Sequence, residues 1–580
     1  MINIHADTLQ VILTIKHSNG IRFSISDLSP PTARIVPTLY QSRVGISLYD
    51  AQFTPDKAQR IPIPDRVVHS VVAALKQFKN TCNDFSVPTQ NITVLATEAT
   101  RTAINSEDFG KAIKDATAWD VTLLAKEDEG RVGAMGVASS LGYVGGLMMD
   151  LGGGSTQLTW IISHGRDGEL QLPQQGAVSM PFGAAALTKR LMDAVREGGD
   201  ARQRFADEIR DTIRQAYASL HVPDELTRAA REGGGFPLYL SGGGFRGWGF
   251  VLMSQHAVQP YPIPIINGFT ASKEDFLNTS AVQASVAKDS EDEEGEGVFR
   301  ISERRASQVP AVAFLVTALS AALPQIKEVR FCQGGVREGF LYSSLSREVR
   351  SQSPLQVAVT THSRDSNGLM SRVLFDCIPE DSKGHESPFR DIAPDMITAL
   401  AATLNTHSTY ARDIRPSSTL RFTTTGAMAA VHGLTHTERA ILALLLCERW
   451  GGDKDLPPVD QAFYTAMSSL LDPMTLWSVK LLGRMAGLVG TIYPAGRVGE
   501  EQRVKITSRW TKTKHENLVL HIDLQFRIAR DKMTSRNPLD DVQEMVGSDI
   551  GRIGKMGKKK NWAGGREGSG CKVEVTVGML

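Results

Sequence analysis

The chain has 580 residues, of which 41% are hydrophobic and 22% charged, and its formal net charge is +1. This length predicts three or four globular domains, and the balanced charge excludes a global field that attracts nucleic acid or a membrane surface. Five scattered cysteines without a CxxC pair, together with the absence of a long apolar run or a signal-peptide layout, predict a soluble protein of the cytosol or nucleus with reduced thiols.

The first predicted elements are a β-hairpin and a helix. Residues 9–25 (LQVILTIKHSNGIRFSI) contain two β-rich segments that are joined by the turn Ser18-Asn19-Gly20. Residues 67–78 carry apolar side chains at helical spacing, which predicts a helix that packs on the core.

A threonine-rich turn follows the strand predicted at residues 92–96 and leads into a helix start. An anion can bind to free backbone N–H groups at such a strand-to-helix turn. Arg101 lies in this turn, where it is either a phosphate contact or an ordinary surface arginine.

The next strand, predicted at residues 121–124, precedes an acidic segment and a helix rich in small residues. A glutamate such as Glu129 can act as a general base if it faces a phosphate cleft and lies near the attacking water. Alternatively, Glu127, Asp128 and Glu129 form the solvated first turn of a helix, where acidic residues are favoured. The sequence leaves both interpretations open.

A glycine-rich loop in residues 147–160 (LMMDLGGGSTQLTW) is the strongest candidate for a ligand site. Three glycines between two strand-like runs predict a hairpin whose backbone can approach a ligand closely. Its N–H groups and two hydroxyls can face a phosphate, while the preceding Asp150 can hold a metal ion or a water. A plain glycine-rich turn is the alternative, but the Asp before the glycines and the Ser-Thr after them favour phosphate binding.

A second glycine triplet follows another predicted strand at residues 238–241. Two units of a strand followed by three glycines, about ninety residues apart, predict paired clefts. A charged helix is predicted between them at residues 201–220, and an apolar helix (302–322) and a closing strand that begins at Val329 come after them.

The C-terminal part has a different character. Helices are predicted at residues 393–404, 435–450 and 459–487, and strands at residues 503–529 and 571–577. The part contains no His-Asp doublet, so we predict no metal site and interpret three histidines as surface or capping residues: His407, His432 and His436.

These motifs resemble the exopolyphosphatase/guanosine-pentaphosphate phosphatase (Ppx/GppA) family of the actin-like ATPase superfamily. The resemblance is carried by Asp150-Leu-Gly-Gly-Gly-Ser-Thr as the second phosphate loop, by Ser18-Asn19-Gly20 in the first loop, and by the Thr-x-x-x-Arg-x-Ala-x-Asn segment from Thr97. It implies an α/β fold of two ribonuclease-H-like domains with a cleft between them, followed by a helical domain and a small β-containing tail.

The implied domain boundaries are 1–126 and 127–350 for the two actin-like domains, 351–490 for the helical domain and 491–580 for the tail. Residues 288–297 (KDSEDEEGEG) are acidic and lack apolar side chains, which predicts a disordered surface loop inside the second domain.

The resemblance also implies the roles of individual residues. Glu129 corresponds to the base that activates water, and Asp150 to a ligand of Mg²⁺. The implied phosphate- or nucleotide-binding residues are Ser18, Asn19, Arg22, Arg101, Gly152, Gly153, Gly154, Ser155, Thr156, Gln157, Gly242 and Gly243. The ligand that the family implies is ATP or another polyphosphate-bearing molecule.

Two carboxylates that the family pattern requires are missing. Ile15, Lys16 and His17 stand where Asp, Ile and Gly are expected, and Gln157 stands where a glutamate is expected. Glutamine can hydrogen-bond a water or a phosphate, but it cannot take a proton or neutralise a metal. Either this copy has diverged or its first residues come from a mistranslated exon start, and the abruptness of the mismatch favours the second explanation.

The resemblance is strongest to a fungal branch that signals mitochondrial state to nuclear genes. It implies a cytoplasmic regulator that uses the cleft as a sensor and acts through signalling proteins controlling transcription factors, without direct nucleic-acid or membrane binding. The competing hypothesis is a phosphohydrolase that releases terminal phosphate from polyphosphate or guanosine pentaphosphate. A scaffold with an inactive cleft is a third hypothesis.

Overall fold

The computed structural model describes residues 6–16, 20–54, 57–164, 169–284, 303–364, 368–380, 387–512, 518–528, 537–565 and 568–580. The chain divides into two compact units. The first contains Met1–Ala257, Ile265–Pro354 and Ala430–Thr435, and the second contains Val258–Pro264, Leu355–Ala429 and His436–Leu580. The division into four domains stays a prediction, and the acidic run at 288–297 lies outside the described residues.

The first unit contains two main sheets and one small one. The strands of the first sheet are β1 (Leu9–Lys16), β2 (Gly20–Asp27), β3 (Thr38–Val44), β6 (Ile92–Ala96) and β7 (Val121–Leu123), and β4 (Phe53–Thr54) pairs with β5 (Lys57–Arg60). The strands of the second sheet are β8 (Gly145–Leu151), β9 (Thr156–His164), β10 (Glu169–Gln171), β11 (Val178–Met180), β12 (Phe236–Ser241), β13 (Thr270–Ser272) and β14 (Ile326–Phe331).

Both main sheets have the same strand arrangement. In the first, the order is β3-β2-β1-β6-β7, with an antiparallel meander of β1 to β3 and parallel additions of β6 and β7. In the second, the order is β10-β9-β8-β12-β14, again a meander followed by two parallel strands, with β13 antiparallel at one edge. This is the ribonuclease-H-like order, so the predicted fold of two actin-like α/β domains is confirmed.

Period-two alternation along β1 explains the core of the first sheet. Val11, Leu13 and Ile15 are fully buried on one face, where they join the cluster of the helix Asp65–Asp84. Each such fully buried aliphatic side chain contributes roughly 1.5–3 kcal/mol. The helix is the one predicted at residues 67–78, and it extends beyond both predicted ends.

Two helices of the first unit pack unusually closely because glycines lie at their interface. A Cβ atom at Gly136, in the helix Lys126–Ser139, would overlap the backbone of Gly335, just before the helix Val336–Ser344. A Cβ at Gly339 would likewise overlap the carbonyl of Val132. The other helices of this unit are Leu48–Ala51, Glu98–Arg101, Ser106–Thr117, Ala184–Glu197, Ala201–Ser219, Asp224–Glu232, Gly243–Ser254, Lys273–Leu277, Glu303–Ala306, Val309–Ala322 and Arg347–Arg350.

The second unit is mainly helical and contains one three-stranded sheet. Its helices are Pro354–Val359, Leu369–Phe375, Pro394–Thr403, Arg415–Leu420, His436–Arg449, Pro458–Ser468, Pro473–Ile492 and Pro538–Lys555. Its sheet joins β15 (Val504–Lys512), β16 (Leu518–Phe526) and β17 (Lys572–Met579), with β16 and β17 parallel. The helix predicted at residues 459–487 is two helices, because Asp472 caps a new helix that begins at Pro473.

The burial of three histidines contradicts one prediction, and the state of the five cysteines agrees with another. His407, His432 and His436 are buried, so their interpretation as surface residues is wrong. All five cysteines are buried and free of disulfides, as predicted, and burial raises the pKa of Cys82 and Cys332 to about 12. Among the described helices, none combines the length and the hydropathy of a membrane span.

Candidate functional site

A cavity of about 790 Å³, partly open to solvent, lies in the first unit. The carboxyl ends of strands from both main sheets meet there with the first turns of several helices, which is where ligands bind in α/β proteins. The lining residues are Thr14, Arg22, Thr97, Glu98, Glu129, Asp150, Gly152, Gly153, Gly154, Ser155, Gln157, Ser241, Gly242, Gly243, Arg246, Gln333, Gly335, Val336, Arg337 and Glu338.

The first glycine triplet forms one wall of this cavity in the predicted hairpin between β8 and β9. The carbonyl oxygens of Gly152 and Gly153 accept hydrogen bonds of 2.9 Å from the backbone N–H groups of Ala184 and Ala185 in the first turn of a helix. Because C=O and N–H of a trans peptide point in opposite directions, the N–H groups of Gly153 and Gly154 point away from that helix. Both residues line the cavity, which fits an anion-binding loop.

Successive side chains after the first glycine triplet point to opposite faces of the sheet. Ser155 and Gln157 line the cavity, and the Gln157 amide donates a 3.0 Å hydrogen bond to the Ser155 hydroxyl. Asp150 is the cross-strand partner of Gln157 and lines the same cavity. Thr156 points to the opposite face, where it is fully buried and its hydroxyl donates a 2.8 Å hydrogen bond to the Phe182 carbonyl. The structure therefore assigns Thr156 a contact in the core and not in the cavity.

The second glycine triplet borders the same cavity and not a second cleft. β12 ends at Ser241, and the helix Gly243–Ser254 begins two residues later, so this triplet is a strand-to-helix turn. Gly242 has φ = 92°, and a Cβ atom there would overlap the backbone of Leu151 at the end of β8. The predicted paired clefts are therefore one cavity, because adjacent parallel strands β8 and β12 end side by side.

Two arginines face the cavity without an acidic partner. Within the described part of the chain, neither Arg22 nor Arg246 forms an ion pair, and the Arg246 Nε is buried without a hydrogen-bond partner. Burial lowers the pKa of Arg246 to about 9, with further contributions from the charges of Arg22 and Arg305. Burial also lowers the Arg22 pKa. A bound anion would relieve this crowding of desolvated positive charge.

The carboxylate of Glu338 attracts both arginines electrostatically, but it is already paired with Arg337. Glu338 is 7% exposed, and its carboxylate accepts hydrogen bonds from Arg337 Nε at 2.8 Å and from the Gly335 N–H at 3.0 Å. Burial alone would raise the Glu338 pKa, but Arg337, His432 and the Gly335 N–H outweigh it and hold the pKa well below its usual range. Glu338 is thus a fixed carboxylate, neutralised mainly by Arg337.

The predicted general base Glu129 lines the cavity in the first turn of the helix Lys126–Ser139. Its Oε2 lies 3.7 Å from Nη1 of Arg101, and the same Arg101 nitrogen donates to the Leu124 carbonyl. Arg101 is not among the described residues that line the cavity. A neighbouring cavity is lined by four residues that also line the first: Glu129, Asp150, Gln157 and Val336. These four residues therefore lie between the two cavities.

Comparison with known proteins identifies this architecture. Residues 31–348 match the model of the Ppx/GppA phosphatase family, and residues 353–579 match the RTG2 C-terminal domain. The chain belongs to the Ppx/GppA phosphatase family. It is 36% identical over 491 residues to retrograde regulation protein 2 of Saccharomyces cerevisiae, which covers 83% of this chain and 80% of that protein.

More distant Ppx/GppA relatives match smaller parts or match at lower identity. Exopolyphosphatase 1 of Mycobacterium tuberculosis is 36% identical over 96 residues, which are 16% of this chain and 26% of that protein. The crystal structure of the Aquifex aeolicus Ppx/GppA enzyme is 18% identical, with a TM-score of 0.44, and the match covers 58% of this chain and 99% of that one.

The first Ppx/GppA phosphate loop is only partly described. Ser18 and Asn19 lie outside the described residues, while Arg22 lines the cavity. Ile15, which stands in sequence at the position of the family's aspartate, is fully buried in the core, whereas Thr14 lines the cavity. This difference follows from the strand, which presents successive side chains to opposite faces.

Asp150 is the cavity residue that fits the predicted role of a Mg²⁺ ligand. The described residues contain no group of three or more His, Cys, Asp or Glu side chains that is suited to bind a metal. Mg²⁺ is usually bound by one or two carboxylates, waters and the phosphates of the substrate. Asp150 is the carboxylate beside the glycine loop that fits this role, so Mg²⁺ would enter with a phosphorylated ligand.

Half of the twenty residues that line the cavity were not among the predicted site residues: Thr14, Thr97, Glu98, Ser241, Arg246, Gln333, Gly335, Val336, Arg337 and Glu338. Glu98 accepts a hydrogen bond of 3.4 Å from the Ser155 hydroxyl. Arg246 had a detectable signal, because it lies one helical turn after Gly243 and residues three or four apart share a helix face. Thr14 had none, because a threonine in a strand is typical of ordinary β structure.

Proposed function

We propose that this chain is a regulator of mitochondria-to-nucleus retrograde signalling that binds a nucleotide or polyphosphate in the actin-like cavity. The similarity to retrograde regulation protein 2 supports the signalling role, because it extends over 83% of the chain and includes the region that matches the RTG2 C-terminal domain. The regulator acts in the cytoplasm through signalling proteins that control transcription factors.

The observation that carries the ligand proposal is the pair Arg22 and Arg246. Both guanidinium groups face a cavity that also presents the backbone of Gly153 and Gly154, and neither has an acidic partner among the described residues. Both arginines are half-buried, and the charge of Glu338 opposes only part of the cost of their desolvation. An anion with several phosphates can contact two arginines and a glycine loop at once.

The alternative function is a phosphohydrolase that releases terminal phosphate from polyphosphate or guanosine pentaphosphate. It is favoured by Glu129 and Asp150, which line the same cavity and can act as base and as Mg²⁺ ligand. It is disfavoured by Gln157 and Ile15, which stand in sequence where the family pattern has carboxylates. Neither side chain can take a proton from water.

Ligand-dependent thermal unfolding and phosphate release, measured on the same samples, distinguish the two functions. The probes are ATP, guanosine pentaphosphate and polyphosphate, each with Mg²⁺. For the regulator we expect a raised melting temperature without phosphate release, because a ligand at a hundredfold its Kd stabilises the folded state by about 2.7 kcal/mol.

Glu129→Ala is the informative variant, and Glu127→Ala is its control, because Glu127 is exposed two residues earlier in the same helical turn. Phosphate release that survives Glu127→Ala and disappears in Glu129→Ala would establish the phosphohydrolase. An unchanged melting temperature with all three probes would leave the third hypothesis, a scaffold with an inactive cleft.

A further inference from the structure

The hydroxyl of Thr14 in the cavity wall has no partner among the described residues. Thr14 is 1% exposed, its hydroxyl oxygen forms no hydrogen bond within the described part of the chain, and the residue lines the cavity. Leaving a buried hydroxyl unsatisfied costs about 1–3 kcal/mol. Natural proteins pair more than nine in ten such groups, so an isolated one that borders a cavity indicates a missing partner from outside the protein.

The strand geometry places this hydroxyl beside positive charge. Thr14 in β1 is the direct cross-strand partner of Arg22 in β2, and opposite residues in an antiparallel pair lie on one face of the sheet. Both residues line the cavity, while the next pair, Ile15 and Ile21, is fully buried on the other face. A neutral hydroxyl beside a guanidinium favours an anion over a divalent cation at this point.

We propose that Thr14 is a ligand-binding residue whose hydroxyl donates a hydrogen bond to a phosphoryl oxygen of the anion that occupies the cavity. The inference rests on the proposed function, since it requires an anionic ligand. Thr14 and Arg22 contact the ligand from the first sheet, and the glycine loop contacts it from the second.

Thr14→Val tests the hydroxyl, because valine has nearly the same shape and cannot donate. The affinity for tripolyphosphate and for ATP is measured by calorimetry, and the unliganded melting temperature is measured in parallel. We expect about tenfold weaker binding, the usual value of one hydrogen bond to a charged group. We expect an equal or higher melting temperature without ligand, because an unsatisfied hydroxyl has been removed.

Thr14→Ser is the matched control, since it keeps the donor and loses only a methyl group. Its affinity should stay within about threefold of the wild type. The two variants together exclude a purely structural role, because such a role would lower the melting temperature in both and would not separate them by affinity.

Thr14→Asp provides a second, independent readout. An aspartate cannot donate to a phosphoryl oxygen and repels it, but it can bind Mg²⁺ that the phosphates also bind. Tripolyphosphate binding should therefore be lost without Mg²⁺ and recovered in part when Mg²⁺ is added, whereas the wild type should bind in both conditions.

The failures of the two proposals are distinguishable. Wild-type protein that binds tripolyphosphate or ATP, together with Thr14→Val protein of the same affinity, would overturn the role of Thr14 and leave the proposed function intact. Wild-type protein that binds neither probe, with or without Mg²⁺, would overturn both.

Discussion

Nη1 of Arg101 lies 3.7 Å from Oε2 of Glu129, and the same nitrogen donates a hydrogen bond to the carbonyl oxygen of Leu124. Arg101 thus links the predicted general base to the backbone just after β7. The family resemblance implies that Arg101 contacts phosphate, whereas in the structure it lies behind the carboxylate and outside the cavity lining. Its geometry fits a residue that positions Glu129.

Arg101→Ala should therefore weaken tripolyphosphate binding by less than about threefold. Arg246→Ala should weaken it by about tenfold or more, because a charge-assisted hydrogen bond to phosphate contributes about 1.5–3 kcal/mol. Loss of the partly buried Arg101–Glu129 pair should cost roughly 1 kcal/mol of stability. Calorimetry and urea unfolding measure the two effects.

Arg131→Ala is the control for Arg101→Ala, because Arg131 is exposed on the helix that carries Glu129 and pairs with Asp128 at 3.0 Å. If Arg101→Ala weakened binding as much as Arg246→Ala, Arg101 would be a direct phosphate contact after all.

Local patterns predicted much of the fold. Alternation and turn residues located the hairpins β1–β2 and β8–β9, and the glycine loop with Asp150 was recognised because its signal lies within a few consecutive residues. The faces of strands were harder to predict. A shift of one residue reverses every side chain of a strand, so neither the burial of Thr156 nor the position of Thr14 at the cavity was apparent.

Local sequence patterns could not predict contacts between residues that are distant in the chain. The two glycine triplets meet in one cavity because β8 and β12 are adjacent parallel strands. The sequence of a triplet does not indicate which strands are neighbours in the sheet. The burial of His407, His432 and His436 likewise depends on tertiary packing, since a histidine is equally compatible with surface and core.

Gly183 supports the glycine loop through close backbone packing. A Cβ atom at this position would overlap the backbone of Gly153 and Gly154. Gly183→Ala should push the loop out of place and reduce ligand-induced stabilisation to near zero, because rigid backbone atoms cannot move aside cheaply. Thermal unfolding with and without ATP and Mg²⁺ measures the effect.

Gly110→Ala is the matched control for Gly183→Ala. A Cβ at Gly110 meets no atom within 4 Å, and the residue lies inside the helix Ser106–Thr117. Alanine there should stabilise the protein by roughly 0.5–1 kcal/mol and leave ligand binding unchanged. Normal ligand-induced stabilisation of Gly183→Ala would show that the loop does not depend on this packing.

A buried carboxylate stabilises the helical part of the second unit. Glu448 is 1% exposed and accepts hydrogen bonds from the Tyr464 hydroxyl at 2.7 Å and from Arg484 Nε at 3.1 Å. Glu448→Ala leaves Arg484 without its partner and should cost about 3–5 kcal/mol, whereas Tyr464→Phe removes one hydrogen bond and should cost about 1–3 kcal/mol. Urea unfolding at pH 7 should show this order, and equal costs would argue against the ion pair as the dominant contact.

His407 gives the second unit a predicted sensitivity to acid. The ring is 5% exposed, its Nδ1 has no hydrogen-bond partner, and its centroid lies 5.1 Å from that of Tyr410 and 5.2 Å from that of Phe422. Burial, and then the charge of His362, lower the pKa of His407 to about 4. The imidazole is therefore neutral in the folded protein at pH values where an exposed histidine is charged.

Between pH 6.5 and pH 4 the unfolded chain binds a proton at His407 that the folded chain does not bind, so stability must fall as the pH is lowered through this window. The loss of stability due to His407 is about 3 kcal/mol at the acid end of this window and vanishes above pH 7, where the imidazole is neutral in both the folded and the unfolded state.

His407→Phe keeps an aromatic ring and cannot titrate, so it should lose less stability than the wild type between pH 7 and pH 4.5. The urea midpoint of tryptophan fluorescence measures the difference, with His69→Phe as an exposed control. Equal losses in wild type and His407→Phe would mean that His407 is protonated in the folded protein without cost.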